Sequence, residues 1–265
     1  MRKKLMSVAL GATIASTAPA PFAQELNFDE YRQMLADGNP AELFEMEGEE
    51  LWTSARGPKN ASLEQCDLGL GAGVVAGAAA QMPRYFEDTG RVQDLESRLM
   101  YCMETLQGIP SADIIKGRFG RDERAKMAAV VAYVSANSKG KPINVDLSHP
   151  KVREMYELGE QAFFFRAGVM DFSCASCHGE DGKRIRATSL PNITTAKGAA
   201  EGWGSWPAYR VSNSQFWTMQ HRLWDCFRQQ RTAEPVFGSD VTIALSTFMA
   251  GKGNGGEIVW PGVKR

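Results

Sequence analysis

Apolar residues recur at helical spacing along several stretches of the chain, separated by glycine and proline breaks. In residues 28–56 the stripe runs through Leu43, Met46, Leu51 and Trp52, with Asn39-Pro40 as helix start and Gly57-Pro58 as stop. Residues 91–107 and 120–137 read as further helices, ended by Lys139-Gly-Lys-Pro142. After His149-Pro150, residues 151–167 form an amphipathic helix with Met155, Leu158, Ala162, Phe163 and Phe165 among its apolar positions. Residues 183–213 lack such a period and, rich in Gly, Thr, Ser, Asn and Trp, read as a long loop. Residues 215–231 read as helix, and a last helix opened by Ser239 or Asp240 runs to Ala250 and is closed by Gly251. The pattern predicts an all-α protein.

The pattern also repeats. Gly48-Glu-Glu-Leu-Trp52 matches Gly159-Glu-Gln-Ala-Phe163, each placing a glycine four residues before an aromatic on one helix face. Pro83-Arg-Tyr85 matches Pro207-Ala-Tyr209, and Arg98-Leu-Met-Tyr-Cys102 matches Arg222-Leu-Trp-Asp-Cys226. Ala132-Tyr133 matches Thr247-Phe248 near each end. Matched pairs in the same order at comparable spacing predict a duplication, with tandem domains over 24–147 and 148–265.

Residues 1–23 read as a cleaved export signal: Arg2, Lys3 and Lys4, an apolar run over 5–15, then small residues to Ala23. That run is too short to span a bilayer and no other stretch is long enough, so no membrane insertion is expected. An exported, periplasmic protein is free to form disulfides. The formal net charge of −1 gives no electrostatic footprint for nucleic acid or a membrane surface. The run Leu68-Gly-Leu-Gly-Ala-Gly73 lacks a preceding apolar strand and a following P-loop lysine, which argues against a nucleotide loop.

Cys174-Ala-Ser-Cys-His178 carries the chemistry. Two thiols three positions apart reach the two vinyl groups of one porphyrin, and the next residue presents an imidazole to the iron. A zinc site would need more Cys or His partners at short spacing, and a thioredoxin-like pair has no use for His178. The motif therefore predicts one covalent haem c on Cys174 and Cys177, with His178 as proximal ligand. Its counterpart in the first half is Cys66-Asp-Leu-Gly-Leu70, where Gly69 and Leu70 replace the second thiol and the histidine, so only the second domain is expected to bind haem. Of five cysteines, Cys66 and Cys102 then remain as a pair, and a disulfide is expected, worth roughly 2–4 kcal/mol. Cys226 has no protein partner. Arg222, at i−4 on the same helix face, is placed to stabilise its thiolate, whereas Asp225 should point elsewhere. Met170, Met219, His221 and Cys226 remain candidates for the sixth iron position.

The haem motif, the later Arg222-Leu-Trp-Asp-Cys226 and the duplicated frame with a haem-less first half resemble the SoxA family. These are catalytic subunits of SoxAX cytochrome complexes in bacterial thiosulfate oxidation, here in the single-haem form. The resemblance spans nearly the whole mature chain. It implies two cytochrome c-like domains and an L-cysteine S-thiosulfotransferase that joins thiosulfate oxidatively to a carrier protein's cysteine. It further implies a SoxX-like small cytochrome c subunit and a SoxYZ-like sulfur carrier as partners. Carried over by position, His178 and Cys226 ligate the iron, Cys226 bears a persulfide, and Arg222 contacts the substrate. Whether Lys252, Arg228 or Arg231 joins the anion site is left open by the sequence; helical periodicity places Arg228 and Arg231 off the Arg222–Cys226 face. The competing expectation is a periplasmic electron-transfer cytochrome c without bond-forming activity.

Overall fold

The structure, a computed structural model, describes residues 38–185 and 188–265. The expected signal over 1–23, and the start of the helix expected from residue 28, lie outside them. The first half runs α1 (Ala41–Thr53), β1 (Arg84–Phe86), β2 (Arg91–Gln93), α2 (Leu95–Cys102), α3 (Ser111–Lys116) and α4 (Asp122–Ala136). The second runs α5 (Pro150–Phe164), α6 (Cys174–His178), β3 (Arg184–Ile185), β4 (Thr188–Ser189), α7 (Ala196–Gly204), β5 (Ala208–Arg210), β6 (Gln215–Trp217), α8 (Met219–Gln229), α9 (Asp240–Lys252) and β7 (Gly262–Lys264).

The chain is mostly helical, but short strands qualify the all-α expectation. Residues 91–93 and 215–217, expected to open helices, are strands in antiparallel hairpins with β1 and β5. Three-residue strands are too short to register as a period in sequence. Capping decides where each helix really starts: Asp94 accepts from the Ser97 amide at 2.9 Å, and Thr218 from the His221 amide at 3.3 Å. The expected loop over 183–213 contains α7, whose cap Thr195 accepts from the Gly198 amide at 3.1 Å. The last helix continues through Gly251 and stops at Gly253.

Each half is built on a close helix crossing. A Cβ at Gly48 would lie 2.0 Å from the Ala129 carbonyl oxygen and 2.8 Å from Tyr133 Cβ, so only glycine lets α1 meet α4. At Gly159 the same atom would lie 1.9 Å from the Ala244 oxygen and 2.8 Å from Phe248 Cβ, where α5 meets α9. The aromatics one turn on complete each contact, Trp52 on Tyr133 and Phe163 on Phe248. These glycines, rather than the bulkiest apolar residues, fix the buried faces. Leu43 and Met46 are 70% and 68% exposed, and Leu158 and Phe165 are exposed as well, which corrects the stripes read from the sequence.

One hydrophobic cluster runs through both halves. Phe44 stacks on Phe216 at 5.6 Å, and Phe119 on His221 at 3.7 Å. A polar clasp joins α2 to the first turn of α8. The Gln220 amide donates to Glu96 at 3.1 Å, and Gln220 Nε2 donates to Asp94 at 2.7 Å.

Candidate functional site

The motif forms the short helix α6. Ser173 starts it by a reciprocal bond: its Oγ accepts from the Ser176 amide, and Ser176 Oγ accepts from the Ser173 amide. His178 Nδ1–H donates to the Pro191 carbonyl at 2.9 Å. With the proton fixed on Nδ1, the lone pair is left on Nε2, the atom that binds a metal. Burial holds His178 below the usual histidine value, against the pull of the Pro191 bond.

Helix α8 carries the other half of the site. Arg222 and Cys226 lie one turn apart, and Arg222 also lies 5.7 Å from the Trp206 ring centre. Cys226 faces the motif thiols. Burial pushes the Cys174 thiol up to about 12, with Cys226 adding to the shift, and Cys177 in turn raises Cys226. Burial outweighs Arg222 at Cys226, so its thiol is raised and not lowered, contrary to the expected stabilised thiolate.

Asp225 corrects a second expectation. It does not point elsewhere: its carboxylate accepts from Arg222 at 3.0 Å, Arg228 at 2.6 Å and Gln229 at 2.7 Å. Arg228, expected off the face, thereby joins the cluster. No hydrogen bond or ion pair ties Lys252 or Arg231 to Arg222, Asp225 or Cys226 among the described residues. The candidates for the sixth iron position separate too. His221 is sandwiched between Phe119 and Trp217 against the first half, and Met219 lies in the core. Met170 is half exposed. Cys226 is the candidate whose thiol and the motif thiols act on one another's charge.

The sequence reading missed Arg210, at the end of β5. Burial lowers its value, with Arg222 adding to the shift and Asp225 and Cys226 opposing it, so it shares their field. The signal lay in the repeat, where Arg210 and Asp225 stand against Phe86 and Tyr101 of the first half.

That first-half counterpart is closed. Cys66 and Cys102 form a disulfide with a Cα–Cα distance of 5.6 Å. Arg98, matched to Arg222, is buried, donates to the Asp67 carbonyl and Asp88, and lies 4.0 Å over Phe86 and 4.9 Å over Tyr101. Gly69 has φ +96°, and a Cβ there would come within 2.5 Å of the Arg84 guanidinium. A cysteine would not fit there without displacing Arg84. In the second half, by contrast, two spaced thiols, an imidazole with a free Nε2 and a facing sulfur make a donor set that fits a haem.

A family model described as SoxA/TsdA, cytochrome c domain, matches residues 47–143, in the half without the haem motif. The L-cysteine S-thiosulfotransferase subunit SoxA of Hydrogenophilus thermoluteolus is 60% identical over the full length of both chains. The chain belongs to the SoxA family. The SoxA of Hydrogenobacter thermophilus is 38% identical, with 85% of this chain and 82% of that protein covered. Among solved structures, the crystal structure of SoxXA from P. pantotrophus superposes with a TM-score of 0.73 at 27% identity, covering 89% of this chain and 84% of that one. That similarity extends over both halves of the chain, beyond a single cytochrome domain.

Proposed function

We propose that this SoxA is an L-cysteine S-thiosulfotransferase that joins thiosulfate to a cysteine of a SoxYZ-like carrier in the periplasm and passes the electrons to a SoxX-like cytochrome c subunit. Arg222 and Cys226, on one face of α8 and against the Cys174 and Cys177 thiols, carry this reading. Export follows from the leader over 1–23; among the described residues no helix is long and apolar enough to cross a membrane. The chain is a tandem duplication of cytochrome c-like domains, 24–147 and 148–265. The like crossings at Gly48 and Gly159 and the like hairpin-to-helix joints support this.

Cys174 and Cys177 would hold a single haem c through thioethers, and His178 and Cys226 would supply the nitrogen and sulfur that its iron takes. When bound, it supplies a one-electron acceptor at the site. Arg222 binds the sulfonate through a planar fork that a lysine lacks. Cys226 is the site of a cysteine persulfide. Pro191 holds the His178 ring in one tautomer and one orientation. In the net reaction, the outer sulfur of thiosulfate and the carrier thiol form an S–S bond. One proton and two electrons leave, and the electrons go to the partner cytochrome. The mature chain has no second haem, because Gly69 and Leu70 cannot hold one.

Steady-state turnover with thiosulfate and a carrier thiol tests the reading. Cys226→Ala should abolish it while changing the visible spectrum of the oxidised haem. Retained turnover in that variant would take Cys226 out of the chemistry, and a wild type without thiosulfate-dependent turnover would leave an electron-transfer cytochrome as the better description.

A further inference from the structure

We propose that Arg210 is a second substrate-binding cation, which together with Arg222 forms a two-arginine site for the sulfonate of thiosulfate. This deepens the function proposed above and rests on it. Three observations carry it.

Arg210 Nε is buried with no hydrogen-bond partner in the protein, while the guanidinium lies 5.0 Å from the Trp217 ring centre. A buried, unpaired donor on a charged group is costly, so the site calls for an acceptor that the chain does not provide. The acceptor belongs beside Arg222, because Arg210 holds the hairpin position of Phe86, the ring on which Arg98, the counterpart of Arg222, stacks at 4.0 Å in the first half.

The charges of the cluster also match the substrate. Arg222 and Arg228 pair with one carboxylate, Asp225, whose field reaches Arg210, so the three guanidinium groups leave an excess of two positive charges. Thiosulfate is a dianion. Arg228 is spent as a bidentate partner of Asp225 at 2.6 and 3.2 Å, and Arg222 shares the other oxygen, so Arg210 is the cation without a protein anion.

The third observation is the contrast between the halves. Hairpin registers place Arg210 opposite Gln215 and Phe86 opposite Arg91, so Arg210 and Phe86 hold the same position. In the closed first half the arginine on the following helix, Arg98, stacks on that phenylalanine at 4.0 Å. In the second half the ring is replaced by a guanidinium. One carboxylate, already held by Arg222 and Arg228, does not balance a further guanidinium at this position, which makes little sense for stability and good sense for binding a doubly charged oxyanion.

The test compares wild type, Arg210→Met and Arg210→Lys holoproteins. It measures thiosulfate affinity by calorimetry, kcat/KM with a carrier thiol, and haem content with the visible spectrum. Arg210→Met should weaken thiosulfate binding and lower kcat/KM roughly ten- to a hundred-fold, the loss of one charge-assisted contact. Arg210→Lys should recover part of it, and both variants should keep full haem content and an unchanged spectrum. Unchanged affinity and turnover in Arg210→Met would overturn the proposal. Loss of haem or a shifted spectrum would also overturn it, by assigning Arg210 to a haem carboxylate instead. If Arg210→Met does not fold, Arg210→Lys decides by the same criteria, wild-type affinity counting against the proposal. A wild type without thiosulfate-dependent turnover would sink the proposed function as well. Wild-type turnover beside an unaffected Arg210→Met would sink this inference alone.

Discussion

Arg222 meets an incoming anion already oriented, because Asp225 accepts from it at 3.0 Å while Arg228 and Gln229 hold the same carboxylate. Arg222→Lys keeps the charge and loses the fork. It should cost about 1.5–3 kcal/mol of transition-state binding, roughly ten- to a hundred-fold in kcat/KM. The spectrum of the oxidised haem should hardly change, in contrast to Cys226→Ala. Full activity in Arg222→Lys would make the arginine structural. That Cys174, Cys177 and His178 share one short helix, and that Arg222 and Cys226 lie one turn apart, was legible in sequence, because the motif spacing and the helical period fix those relations. Arg210 was not, because it reaches the site from a three-residue strand. Asp225 was misread because side-chain reach, not helical phase, brings its carboxylate to Arg222.

At the scale of elements, the glycine crossings set how closely the helices pack. Gly159→Ala would put a methyl 1.9 Å from the Ala244 oxygen, whereas nothing lies within 4 Å of Gly38. Overpacking of this kind costs about 1–3 kcal/mol, so Gly159→Ala should lower the urea midpoint and Gly38→Ala should leave it in place. Equal midpoints would contradict the crossing as drawn. The clasp on α8 makes a second prediction. Glu96 is pushed up to about 8, first by burial and then by the Asp94 carboxylate; Asp94 is itself raised by burial. Asp94 accepts from Ser97 and Gln220, so it keeps the charge and Glu96 keeps the proton. Folding then binds a proton between the ordinary carboxylate value of 4.5 and about 8. Stability from this source is full below that window and falls as pH rises through it. His221, held down to about 3 by burial, contributes the opposite slope below its usual 6.5. The comparison of wild type with Glu96→Gln isolates the carboxyl. The variant should lose less stability than wild type as pH rises toward 8, and parallel profiles would contradict the buried proton. The glycine–aromatic repeat was readable because glycine has a steric meaning at a helix crossing; the clasp was not, since nothing in the sequence sets α2 beside α8.

For the whole molecule, the two halves share one core but divide the chemistry. The first half holds the Cys66–Cys102 disulfide and buries Arg98 among aromatic rings. Both cysteines should resist alkylation in the folded, non-reduced protein, and removing the bridge should cost roughly 2–4 kcal/mol. The second half holds a free thiol, Cys226, at the matching position, beside the Arg222–Asp225–Arg228 cluster. The central claim is that Cys226 carries sulfur from thiosulfate beside a single haem. Mass spectrometry of the native protein after incubation with thiosulfate, intact and as non-reduced peptides, tests it most directly. The account predicts one haem on the peptide bearing Cys174 and Cys177, a linked Cys66–Cys102 pair, and an added sulfur on Cys226. A protein that turns over thiosulfate with Cys226 unmodified, or that carries a second haem, would contradict it.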